Sequence, residues 1–183
     1  MVDQIDEILK GCLSGDRRSQ EHLYKMFSSR MFGVCLQYSN NYDDAKDILQ
    51  EGFIKVFQKL RQYDKRGSFE GWVRRIMINT ALERYRSHTH LYPLTEQEVR
   101  KEDLIYEEVF EKLTARELVK IMQELPPRYR MVFNLYAIEG YTHKEVGEMM
   151  GISVGTSKSN LSRARQILQE KVKRYYNTNE HIS

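Results

Sequence analysis

Near its C-terminal end the sequence reads GISVGTSKSNLSRAR, from Gly151 to Arg165, with Lys158, Arg163 and Arg165 soon after a Gly-Thr-Ser start. Small residues keep a helix N-terminus slim, so that its free N–H groups can meet an anion such as a phosphate. The spacing predicts a helix whose outward set includes Thr156, Lys158, Ser159, Asn160, Ser162 and Arg163. These residue types hydrogen-bond base edges and phosphates, so the chemistry on offer is DNA binding. A plain solvated face would explain the charges, but not their coincidence with a cap, a turn and an apolar stripe.

A second group lies between Lys65 and Arg86, where Lys65, Arg66, Arg74, Arg75, Arg84 and Arg86 mix with Phe69, Trp72 and Tyr85. Cations hold phosphates while rings and pockets receive unstacked bases, which suits a DNA strand being separated. Taken alone, Phe69 and Trp72 read as core residues. Asn79, in INTALERYR, offers donors and an acceptor to a base edge; it could also cap a helix beginning at Thr80. His88-x-His90 invites a metal, but no carboxylate or cysteine cluster accompanies it at ligand spacing. No metal, cofactor or catalytic residue is therefore assigned, and the two histidines read as further DNA-facing polarity.

Helices must position these groups. Apolar spacing is helical almost everywhere, and no alternating strand pattern lasts. Ile5, Ile8, Leu9 and Cys12 form a first stripe ending at Gly15; Leu23, Met26, Phe27, Val34, Cys35 and Tyr38 form a second. After the turn-like SNNYDD, a third runs through Ala45, Ile48, Leu49, Phe53, Val56, Phe57 and Leu60. Opposite it, Asp47, Gln50, Glu51, Ile54 and Gln58 recur at helical spacing, a polar face with one exposed aliphatic. KRGS breaks the pattern, and Ser68 can cap a helix bearing Phe69, Trp72, Val73 and Ile76.

Further on, Thr114 and Glu117 fit a capping box before Leu118, Ile121, Met122 and Leu125. LPPRYR ends that helix and starts another, with proline in its first turn and Tyr129, Val132, Phe133 and Tyr136 along it. Thr142 and Glu145 make a second capping box for a short helix, which Gly151 ends. Ser153 can cap the next, long helix, packed through Ser157, Leu161, Ala164, Leu168 and Val172. Short helix, turn and long helix form a helix-turn-helix pattern, whose second helix enters the major groove. The expected fold class is all-α: two small helical domains, 1–88 and 113–176, an acidic linker over 89–112 and a tail over 177–183.

Net charge is only +3, but its distribution is uneven. Residues 65–90 carry six Lys/Arg against two Asp/Glu, residues 91–124 five against nine, and residues 125–176 nine against four. Two basic blocks around an acidic one fit two anion-binding surfaces joined by a segment that avoids the anion. No apolar run reaches the roughly 18 residues of a membrane span, and MVDQIDEILKG lacks the basic start and apolar core of a signal peptide. Cys12 and Cys35 each fall on an apolar stripe, which predicts buried thiols and a reducing cytosol.

The segment LPPRYRMVFNLYAIEGYTHKEVGEMMGISVGTSKSNLSRARQIL resembles region 4 of bacterial sigma-70 family factors. The shared form is Leu-Pro, an apolar helix, Glu-Gly, then Gly-Ile-Ser-Val-Gly-Thr-x-Lys-Ser. DAKDILQEGFIKVFQKL resembles region 2.2 through its Asp-x-x-Gln-Glu-x-Phe core, and FEGWVRRIMINTALERYR resembles regions 2.3 and 2.4. With only regions 2 and 4, in that order, the chain resembles the extracytoplasmic function (ECF) group. The resemblance implies a non-enzymatic, cytoplasmic bacterial protein that joins core RNA polymerase, at its beta-prime clamp helices and beta subunit. It further implies recognition and opening of promoter DNA, an anti-sigma factor as partner, and no membrane insertion.

Residue by residue, the resemblance implies polymerase contact at Asp47, Gln50, Glu51, Ile54 and Gln58. It implies −10 binding at Lys65, Arg66, Arg74, Arg75, Asn79, Arg84 and Arg86. It implies −35 binding at Thr156, Lys158, Ser159, Asn160, Ser162 and Arg163, although Asn160 and Ser162 replace residues that are often basic and larger. The acidic linker fits a segment threaded through the polymerase. The competing reading is a stand-alone helix-turn-helix regulator that binds operators as a dimer.

Overall fold

The computed structural model describes residues 2–89 and 114–179. Four helices come first: α1 (Val2–Leu13), α2 (Arg17–Tyr38), α3 (Tyr42–Lys59) and α4 (Phe69–Thr89), with a 3-10 turn at Leu60–Gln62. After the undescribed stretch come α5 (Ala115–Gln123), α6 (Pro127–Phe133), a π-helical turn (Asn134–Ile138), α7 (His143–Met150) and α8 (Val154–Asn179). The chain divides into two compact units, Met1–Glu83 and Arg84–Ser183. No strand occurs among the described residues. The expected linker lies outside them except for Thr89, which ends α4, and the expected tail begins as helix, since α8 runs to Asn179.

In the first unit, side-chain caps set the helix starts. Asp16 accepts the Ser19 N–H at 2.8 Å to open α2, and Asn41 accepts the Asp44 N–H at 2.9 Å to open α3. The turn expected over SNNYDD is therefore shorter, because Tyr42, Asp43 and Asp44 already form the first turn of α3. Carboxylates there favour the helix N-terminus. Ser68 accepts the Gly71 N–H at 3.1 Å, as its position before α4 predicts. The α2 stripe packs on the α3 stripe, burying Leu23, Phe27, Met31, Val34 and Cys35 with Ala45, Ile48, Phe53 and Val56. Val73, Met77, Ile78 and Leu82 of α4 are buried too. Cys12 and Cys35 are buried free thiols, and burial pushes the Cys35 pKa up to about 12.

The second unit is built on α8. Ile121, Met122 and Leu125, Tyr129 of α6, and Ala164, Leu168 and Val172 of α8 form one core. Arg130 is buried as well, and its Nη1 donates to the carbonyls of Gln123 at 2.7 Å and Leu125 at 3.4 Å. A buried guanidinium thus satisfies carbonyls at the end of α5, where a helix leaves acceptors orphaned. The expected single helix from Pro127 towards Gly140 is α6 plus a π turn. The wider turn changes the register, so Asn134 and Leu135 become buried while Tyr136 is only half-buried.

Candidate functional site

The helix-turn-helix expected from the Thr142 capping box into the helix capped by Ser153 is present, and local chemistry explains each part. Glu145 N–H donates to Thr142 Oγ1 at 3.3 Å while Thr142 N–H donates to Glu145 Oε2 at 2.8 Å, closing the capping box of α7. Gly151 ends α7 with φ of 68°, a left-handed conformation that favours glycine. A Cβ on Gly147 would stand 2.7 Å from the Ile152 carbonyl, so the chain can fold back this tightly only over glycine. Ser153 Oγ then accepts the Thr156 N–H at 3.0 Å, capping α8.

The outward side of α8 carries most of the expected residues. Lys158 and Ser159 are exposed, and Thr156, Ser162 and Arg163 are half-buried. Ser159 Oγ donates to the Thr156 carbonyl at 3.0 Å, and Arg163 Nη1 donates to Gln166 Oε1 at 2.7 Å. Asn160 is a correction. It is only 8 % exposed, because it follows Ser157 by three residues and precedes Ala164 by four, on the packed stripe. Expected to face the duplex, it belongs to the interior instead.

His143, the first residue of α7, was not among the expected site residues. Its Nδ1 lies 2.9 Å from Oγ of the fully buried Ser157, and its ring stacks on Tyr136 with centroids 4.3 Å apart. Desolvation, then the Lys158 and Arg165 cations, holds its pKa below the ordinary imidazole value. His143 therefore shares a cationic neighbourhood with the outward side of α8.

The expected −10 residues spread over the loop before α4 and along α4 itself, Arg84 and Arg86 lying past the end of the first unit at Glu83. Lys65 has φ of 62°, and its ammonium pairs with Asp6 at 2.8 Å; Arg66 pairs with Asp64 at 3.4 Å. Beside this loop, Tyr63, Phe69 and Trp72 pack with ring centroids 5.1–5.6 Å apart. Phe69 is core, as read from sequence, but Trp72 is only half-buried. On α4, Arg75, Asn79 and Arg86 are exposed along one side, while Arg74 and Arg84 are half-buried. No helix begins at Thr80, so the capping alternative for Asn79 falls. Asn79 sits ten residues into α4, about 15 Å along its axis from Phe69.

The α3 face is intact. Asp47, Gln50, Glu51, Ile54 and Gln58 are all exposed on the side opposite the core, and Ile54 is 57 % exposed. On the flank of this face Lys55 pairs with Glu83 of α4 at 2.6 Å. Among the described residues, no group of three His, Cys, Asp or Glu side chains could hold a metal ion. None of the described helices is long and apolar enough to cross a membrane.

Residues 23–91 match the family described as sigma-70 region 2, and residues 115–168 the one described as sigma-70, region 4. The chain is 32 % identical over 157 residues to the ECF RNA polymerase sigma factor SigE of Mycolicibacterium smegmatis, covering 83 % of this chain and 61 % of that protein. It is 26 % identical over 185 residues to the ECF RNA polymerase sigma factor SigW of Bacillus subtilis, covering 94 % of this chain and 99 % of the other. With the ECF RNA polymerase sigma-E factor of Haemophilus influenzae it shares 23 % identity, over 94 % of this chain and 98 % of that one. The sigma factor RpoE of Bartonella quintana, solved in complex with the anti-sigma factor NepR, has a similar fold. The TM-score is 0.52 at 20 % identity, over 84 % of this chain and 96 % of that one.

Proposed function

The chain belongs to the ECF group of the sigma-70 family, and from that premise we propose that it directs core RNA polymerase to promoters and starts transcription. The reading is supported above all by the presence of both family regions, in order, on one chain. Each supplies an exposed functional side on a packed back. The α3 side, Asp47, Gln50, Glu51, Ile54 and Gln58, docks on the beta-prime clamp helices. The start of α8, with Lys158, Ser159 and Arg163, reads the −35 duplex. Asn79 and the cations of the 65–86 block hold unpaired −10 bases and their phosphates on the nontemplate strand.

Opening then needs no nucleotide hydrolysis, because binding of extruded bases offsets an unpairing cost of a few kcal/mol. The protein performs no catalytic step itself and works in the cytoplasm. An anti-sigma factor completes the partner set, as NepR does for RpoE of Bartonella quintana.

Transcription in vitro by core polymerase with this chain, with sequencing of transcript 5′ ends, tests the whole reading. Defined start sites that vanish without the chain support it; none at all overturns it. A stand-alone regulator would instead bind its operator alone, with an affinity on the order of nanomolar at moderate salt.

A further inference from the structure

We propose that His143 is a positioning residue for promoter reading: by accepting the buried Ser157 hydroxyl while stacked on Tyr136, it sets the rotation of α8 and hence which side chains meet the −35 duplex. The inference rests on the functional reading above.

Three elements meet at this ring. His143 opens α7, Tyr136 comes from the π turn, and Ser157 lies one turn into α8. Ser157 is fully buried, so its hydroxyl has no access to water, and the imidazole nitrogen at 2.9 Å is the side-chain partner within reach. The neutral ring with its proton on Nε2 leaves Nδ1 free to accept that hydroxyl. Desolvation and the cations of Lys158 and Arg165 favour the neutral form. Apolar packing at Leu161, Ala164 and Leu168 holds α8 against the unit but is directionally permissive. A single hydrogen bond near the reading end is directional. Lys158 follows Ser157 immediately, so any rotation that breaks the bond also moves Lys158 across the groove.

The test uses holoenzyme reconstituted from core polymerase and the full chain, on a promoter fragment mapped by the transcription experiment. The readout is the preference for that fragment over copies with single base-pair changes in the −35 element. His143→Leu, which fills the space without an acceptor, should reduce this preference about tenfold. His143→Asn, which places an oxygen where Nδ1 lies, should restore it, whereas His143→Gln should not. Ser157→Ala combined with His143→Leu should be no worse than either alone. In wild-type protein, the 15N shift of His143 Nδ1 should be that of an unprotonated acceptor at neutral pH.

Unchanged preference in His143→Leu overturns the inference, and so does a double variant whose losses multiply, since His143 would then act on DNA by itself. Should His143→Leu unfold, the Asn and Gln variants decide between them; equal behaviour overturns the inference. If wild-type holoenzyme shows no start sites, the functional reading fails, and the inference falls with it.

Discussion

Ile54 is the most informative residue to change, because the fold does not need its exposed part. Burying an isoleucine side chain completely is worth about 1.5–3 kcal/mol. With 57 % of Ile54 exposed, about 1–1.5 kcal/mol remains to be gained when a partner covers it. Alanine keeps only the first carbon of that surface, so Ile54→Ala should weaken core polymerase binding by about 1 kcal/mol, or about fivefold. Ile54→Glu leaves a carboxylate to be desolvated in the same place and should cost at least tenfold, on the order of 1.4 kcal/mol. Neither change should move thermal stability beyond about 0.5 kcal/mol, as is usual for a surface position. The assay is competition for core polymerase against a labelled wild-type chain, with melting curves on the same preparations. Wild-type affinity in the Glu variant would show that α3 does not dock through this face.

Other outcomes follow from the same geometry. Lys158→Ala should weaken −35 recognition by about 1–3 kcal/mol if a base contact is lost, measured as promoter preference of the holoenzyme. Asn160→Ala should change the melting temperature while leaving the preferred −35 sequence as it was, because Asn160 is interior; an altered preference would return it to the duplex. Asn79→Ala should slow promoter opening, followed by permanganate reactivity of unpaired thymines, with polymerase affinity unchanged. Glu117 is held at about 2, below its ordinary 4.5, first by Thr114 and then by the Tyr175 hydroxyl. Its folded value is depressed, so its contribution is present above about 4.5 and is lost as pH falls towards 2. The stability gap between wild type and Tyr175→Phe should therefore shrink over that window in urea titrations, and a gap independent of pH would refute the linkage.

Much of this was legible because the signals are local. A capping box needs only Thr and Glu three residues apart, and both boxes form as the spacing predicts. The exposed α3 side was equally readable, since one helical period separates it from an unambiguous apolar stripe. The misreadings have tertiary causes. Asn160 is polar and so reads as outward-facing, yet its burial depends on neighbours that only the folded unit brings together. The π turn has no local signature in NLYAI; it reconciles burial of Leu135 with the exit towards Gly140. Nothing local marks Arg130 as buried; the carbonyls of Gln123 and Leu125 converge on it only in the folded unit. INTALERYR contains no breaker, so helix continuity through Asn79 was available from sequence and outweighs asparagine's preference for caps.

The two candidate surfaces differ in how far recognition is stored in the fold. On α3, every residue of the proposed docking side is exposed and the core behind it is apolar, so substitutions there should separate affinity from stability. On α8 they cannot be separated so simply, because polar groups face inward next to those that face outward. Ser157 is buried between the half-buried Thr156 and the exposed Lys158, and Asn160 is buried directly after the exposed Ser159. A buried polar group has few acceptable orientations, since an unmade hydrogen bond in the interior costs about 1–3 kcal/mol. Such groups fix a helix more narrowly than leucine or alanine can, and reading base edges demands that narrowness, because a hydrogen bond fails within a few tenths of an ångström. The proposed docking face should therefore tolerate adjustment, whereas the proposed reading helix is held on its hidden side by the Ser157–His143 contact.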